Sequence, residues 1–236
     1  MPAPTQLISF PSGSHPLQAY LARPEGNGPF PGVVVIHEAF GLNDNIKGIC
    51  NRFAGEGYAA LGVNLFYGRN QVVCMFQFMG GMLFNSLEHQ GIHDLKAGLD
   101  WLSGQPFVDG QRVGAVGYCM GGAFAIAWAC TDNRLRAIAP YYGRSPRPLE
   151  AMRRLCPVVA SYPDKDFTTP EGQKLAEFMA EHKIPHDVKI YPGTHHSFFN
   201  ESRPAGYNAD AAQDSWERVK EFFKEHIEEP HPRPLS

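Results

Sequence analysis

The chain has 236 residues, 43% hydrophobic and 19% charged, with a formal net charge of −3. That length and apolar content suit one sizeable core, and a single α/β domain commonly reaches ~250 residues. Acids and bases are interspersed, residues 1–10 carry no basic-then-apolar leader, and no run of about 18 apolar residues follows, so neither a nucleic-acid nor a membrane partner is expected and the expected location is cytoplasmic.

Two short alternating segments, residues 6–10 and 17–22, flank the turn-forming Pro11-Ser12-Gly13-Ser14 and read as an antiparallel hairpin at a sheet edge. Val33-Val34-Val35-Ile36 is a continuous β-branched run, the pattern of a central strand buried on both faces. Helices and strands then alternate: helix over about 43–57, strand 59–63, helix 91–103, strand 113–116, helix 123–130, strands 137–141 and 158–161. A helix over 171–182, a strand over 188–191 and a long amphipathic helix over 209–227 close the series. This βαβ rhythm predicts an α/β fold with a mostly parallel sheet and helices on both faces.

Residues 66–87 fit least well, because Met75, Phe76, Phe78, Met79, Met82, Leu83 and Phe84 are apolar on nearly every face. They are read as helix under a pocket. No linker or repeat divides the chain, so residues 1–236 form one domain, with the charged, proline-containing 228–236 as a loose tail. Five cysteines at irregular spacing (Cys50, Cys74, Cys119, Cys130 and Cys156) suit reduced thiols better than a disulfide framework.

Chemistry concentrates in Val113-Gly114-Ala115-Val116-Gly117-Tyr118-Cys119-Met120-Gly121-Gly122-Ala123, a buried strand, a Gly-x-Cys-x-Gly turn and a helix. That is the setting of a nucleophile elbow. Gly117 and Gly121 are expected where a Cβ would clash with neighbouring backbone. The turn sets Cys119 at a helix N-terminus, where free N–H groups lower a thiol pKa, so a thiolate is expected. The other four cysteines read as small buried hydrophobes.

In folds with this elbow the order along the chain is nucleophile, acid, histidine. Asp164 and Asp166 both lie in the polar loop after the 158–161 strand, where such sheets place their sites. Asp beside Pro commonly serves only as a turn residue, which favours Asp166. His195 and His196 follow the 188–191 strand, and the local pattern does not separate them. Adjacent histidines are not spaced for one zinc face. The oxyanion donors are expected at the Met120 N–H and in the turn His37-Glu38-Ala39-Phe40-Gly41.

Five separated blocks together resemble the dienelactone hydrolase family, the carboxymethylenebutenolidases, which have an α/β-hydrolase fold. They are residues 34–42, 114–122, Tyr141-Tyr142-Gly143, 166–170 and His196-Ser197-Phe198. The resemblance implies Asp166 as the acid, four residues before Pro170, and His196 as the base, preceding Ser-Phe. It implies that Glu38 contacts the nucleophile and helps generate the thiolate when substrate displaces it, and that Ala39 N–H is the second oxyanion donor. It also implies arginines that hold a substrate carboxylate, and here the chain departs: Asn200 stands at one expected arginine, leaving Arg69 or Arg203 as substitutes.

The expected activity is therefore hydrolysis of a small lactone or carboxylic ester by Cys119, His196 and Asp166 through an acyl-enzyme. No cofactor or metal is expected, and the expected partner is the small-molecule substrate of a monomer or homodimer. The alternatives are an esterase or thioesterase for uncharged acyl substrates, a peroxide-sensitive thiol, and a binding protein that kept the fold without the chemistry.

Overall fold

A computed structural model of the chain describes residues 3–84 and 86–229, with only the backbone at 79 and 82–84. Eight strands form one sheet: β1 (Thr5–Ser12), β2 (His15–Ala22), β3 (Phe30–Ile36), β4 (Ala59–Asn64), β5 (Val108–Tyr118), β6 (Leu135–Tyr141), β7 (Val158–Pro163) and β8 (His186–Tyr191). Their order is β1-β2-β4-β3-β5-β6-β7-β8. The hairpin pairs antiparallel, β2 pairs antiparallel with β4, and every other pair is parallel. The hairpin edges the sheet and β3 is central, as the sequence predicts.

Six α-helices cover the faces: α1 (Asp44–Gly55), α2 (Gln71–Phe84), α3 (Gln90–Ser103), α4 (Met120–Ala129), α5 (Thr169–Glu181) and α6 (Ala209–Phe223). In β3, alternate residues feed opposite cores, because strand side chains alternate faces. Val33 and Val35 pack with Ile46, Phe53, Trp216 and Phe223 of α1 and α6. Val34 and Ile36 face the other core, with Leu95 and Leu99 of α3 and Phe124 and Trp128 of α4. All four residues are fully buried, each contributing about 1.5–3 kcal/mol of apolar burial.

The helix ends follow local chemistry. Asn43 caps α1 by accepting the Ile46 N–H at 3.1 Å, and Asn208 caps α6 by accepting the Ala211 N–H at 3.0 Å. A 3₁₀ turn at Leu149–Arg154 and a π-helical turn at Lys224–Glu228 were not legible in the sequence. In that last turn Glu228, read as the start of a loose tail, accepts a hydrogen bond from Tyr58 Oη at 2.7 Å. Residues 230–236, Asn85 and the side chains of Met79, Met82, Leu83 and Phe84 lie outside the described residues.

Among the described residues, no helix is long and apolar enough to cross a membrane. All five cysteines are free thiols, with Cys50, Cys74 and Cys130 buried and Cys156 partly so.

Candidate active site

The C-terminal ends of the parallel strands bring the predicted residues to one end of the sheet. β5 runs into α4 through Cys119, whose φ of 56° and ψ of −114° make a strained turn for a residue with a Cβ. The flanking glycines permit it. A Cβ on Gly117 would lie 2.0 Å from Gly121 O, and one on Gly121 would lie 2.4 Å from Ile36 O. The turn thus packs directly on the end of β3, which continues into His37 and Glu38.

Beyond β7, the two aspartates divide their roles. Asp164 Oδ1 accepts the Thr194 N–H at 3.1 Å and so ties together the loops after β7 and β8. Asp166 Oδ2 accepts from His196 Nδ1 at 2.8 Å, while His195 is exposed. The hydroxyl of Thr168, itself 1% exposed, also donates to Asp166 Oδ2. The carboxylate is therefore held from two sides. With Nδ1 donating to Asp166, Nε2 is the imidazole nitrogen left to exchange a proton with a reactant.

Glu38 is 2% exposed, and two loops supply its three donors. Tyr142 Oη, after β6, and Ser197 Oγ, after β8, donate to Oε1 at 3.4 and 3.2 Å; Asn200 Nδ2 donates to Oε2 at 2.5 Å. Asn200 is oriented because its Oδ1 accepts the Ser202 N–H at 2.9 Å. Beside Glu38, neutral His37 bridges loops: Nδ1 donates to Glu38 O at 2.6 Å, and Nε2 accepts the Leu65 N–H at 3.0 Å. Burial lowers the His37 pKa to about 4, so it stays neutral.

The expectation of a resting thiolate is overturned. The Cys119 thiol is pushed up to about 11, first by burial and next by the Glu38 carboxylate; the Met120 N–H and the Arg203 charge pull it down by less. The donors at the start of α4 act as the sequence suggests, but desolvation and a neighbouring anion outweigh them. Among the described residues no hydrogen bond joins the Cys119 sulfur to His196, although the sulfur feels the charges of Glu38, Asp166 and Arg203.

Glu38→Gln is accordingly expected to lower the pH at which Cys119 becomes alkylable. Removing a nearby negative charge stabilises the thiolate, so iodoacetamide labelling at pH 8 should quicken several-fold, while wild type labels with a midpoint near 11. Site-resolved mass spectrometry across pH checks this; a wild-type midpoint near the ordinary thiol value would contradict it.

The two arginines open to a substrate anion also separate. Arg69 Nη1 pairs with fully buried Asp94 Oδ2 at 3.1 Å, and the guanidinium lies against His15. Ser12 Oγ and Gln90 Nε2 complete the Asp94 cluster at 2.7 and 2.8 Å. Arg69 is thereby committed to pinning the hairpin to α3. Arg203 instead stacks over the Phe40 ring at 4.9 Å and borders an open cleft of about 580 Å³ that His196, Ser197 and Phe167 also line.

Several contributing residues escaped the residue-by-residue reading. Tyr142, Thr168 and Ser197 sat unremarked inside blocks that carry the resemblance, whereas Gln71, whose Nε2 donates to Ala39 O at 2.7 Å, had no sequence signal. Except for Thr168, whose partner Asp166 is two residues away, their roles depend on pairings across loops.

Comparison with known proteins gives the family and the fold. The family model of the dienelactone hydrolase family matches residues 17–227. A Saccharolobus solfataricus protein named "Putative carboxymethylenebutenolidase" is 33% identical over 257 residues, covering 92% of this chain and 97% of its own length. The crystal structure of a dienelactone hydrolase-like promiscuous phosphotriesterase from metagenomic libraries superposes with a TM-score of 0.85 at 26% identity, covering 96% of this chain and all of that one. A dienelactone hydrolase structure from Anabaena variabilis, at 18% identity and a TM-score of 0.75 over 96% of this chain and all of that one, shares the fold.

Proposed function

We propose a reaction for this chain from the premise that it belongs to the dienelactone hydrolase family and is a carboxylic ester hydrolase of ester or lactone type. Cys119 is the nucleophile, His196 the general base and acid, and Asp166 the carboxylate that orients it. The observation that carries this reading is the placing of the strained Cys119 turn within one electrostatic cluster with the hydrogen-bonded Asp166–His196 pair.

His196 Nε2 takes the thiol proton as sulfur attacks the ester carbonyl carbon, and the carbonyl π electrons move onto oxygen. The Met120 and Ala39 N–H groups hold that oxyanion; a comparable donor in another hydrolase is worth about 2.7–4 kcal/mol. The C–O bond then breaks, and the imidazolium gives its proton to the leaving oxygen. Water attacks the resulting thioester, His196 takes its proton and returns it to the departing sulfur, and the acid is released. Asp166, backed by Thr168, keeps Nδ1 protonated throughout.

Glu38 sets the resting state. Its charge keeps the thiol protonated and protects it from adventitious oxidation. A substrate that displaces the carboxylate from the sulfur also removes that charge, so the nucleophile is generated when it is needed. The relatives' name points to a carboxylated lactone. Commitment of Arg69 to Asp94 and of Asn200 to Glu38 favours a neutral ester, leaving Arg203 as the cation at the cleft.

Rates on cis-dienelactone and on an uncharged aryl acetate test the assignment. Preference for the dienelactone supports a carboxymethylenebutenolidase activity; cleavage of the neutral ester alone keeps the mechanism and replaces the substrate. Turnover of neither would remove the reading.

A further inference from the structure

Phe167 is 69% exposed, the highest value for a large apolar side chain among the described residues, and the proposed reaction does not use its ring. Its ring is stacked on the His196 imidazole, with centroids 5.2 Å apart and planes 18° from parallel, and it forms one wall of the 580 Å³ cleft. The turn Ser202 to Gly206 also lines it. That turn is held close to the base, since a Cβ on Gly206 would lie 3.0 Å from His196 O. The base, the exposed aromatic ring stacked on it and the turn thus border one cleft.

We infer that Phe167 is the platform for the leaving group, and that the preferred substrates are esters whose alcohol portion is aromatic or otherwise planar. This rests on the proposed reaction, in which His196 gives its proton to the leaving oxygen. The leaving group must then sit beside the imidazole, and this cleft is a space that His196 and Phe167 both line. A ring attached to that oxygen can continue the stack that Phe167 already makes with His196, covering apolar surface that the fold leaves in water. Offset stacking favours an aryl over an alkyl alcohol, whereas a branched alkyl group meets the same wall without π overlap. Phe167 follows Asp166 directly, so the acid that orients the base also fixes the platform.

The test compares phenyl acetate with 2,2,2-trifluoroethyl acetate, two uncharged acetates with activated leaving groups, on wild type, Phe167→Leu and Phe167→Trp. Because Phe167 is exposed, both variants should fold, and circular dichroism verifies this. Phe167→Leu is expected to lower kcat/KM for phenyl acetate about five- to tenfold more than for trifluoroethyl acetate, chiefly through KM. Phe167→Trp should restore the wild-type ratio. Equal losses on both esters would assign Phe167 to His196 alone and overturn the platform, as would an unchanged ratio in Phe167→Leu. Wild type inert toward both esters would overturn the hydrolase reading and this inference with it, whereas activity without aryl selectivity overturns only the platform.

Discussion

Cys119→Ala is expected to lose at least about 10⁴-fold in kcat/KM for whichever ester the wild type cleaves best, since no other group can form the acyl intermediate. The protein should remain folded. Alanine keeps the Cβ, so it inherits the same strain at a φ of 56° and removes only one partly buried sulfur, a change of about 1 kcal/mol. Cys119→Gly supplies the control. It should be equally inactive yet more stable than Cys119→Ala, because glycine adopts positive φ without a steric cost; the expected gain is about 1 kcal/mol. Thermal unfolding of the two variants reads this directly. A substitution that stabilises the fold while abolishing turnover would mark this turn as strain retained for chemistry.

His196→Ala is expected to cost about 10⁴-fold, comparable with loss of a triad member elsewhere. With the thiol raised to about 11, a variant lacking the base has almost no thiolate at neutral pH. Its residual rate should therefore climb steeply as pH rises toward 11, where wild type gains much less from hydroxide. The Cys119→Ala/His196→Ala double variant should be hardly worse than either single one, because the two groups act as a unit. Additive losses would mean that they serve separate steps. Asp166 and Thr168 would remain in place, since each keeps a partner when the imidazole is gone.

Much of this architecture was legible because strong local signals agreed with the fold. The β-branched run at Val33 to Ile36 could only be a strand covered on both faces, and its alternation onto two helix layers follows from strand geometry. Gly117 and Gly121 were readable because the backbone clashes they avoid are local to the turn and the adjoining strand. By contrast, Asp164 and Asp166 lie two residues apart in one loop, and residue chemistry favoured Asp166 only because an Asp beside Pro commonly serves as a turn residue. The distinction is which of them meets the imidazole, a contact 30 residues away along the chain.

The thiol's protonation state was misread for a related reason. Helix N-terminal donors belong to the Cys119 turn itself, so they were visible in the sequence. Burial and the Glu38 carboxylate come from packing against another strand end, and they outweigh the donors. Asn200 shows the same limitation. Its position suggested a missing substrate arginine, whereas its Nδ2 hydrogen bond to Glu38 gives it a holding role inside the protein. The residues that set the chemistry were recognisable by type, but their electrical balance became readable only once the loops after β3, β6 and β8 were brought together.

The most direct measurement is intact-mass analysis of the wild type, acid-quenched within milliseconds to seconds of mixing with an excess of a slowly deacylating aryl ester, followed by peptide mapping. The expected result is a transient mass increase equal to the acyl group, located on Cys119 and absent from Cys119→Ala. Full turnover without that adduct in the wild type, or catalytically competent acylation at another residue, would contradict it.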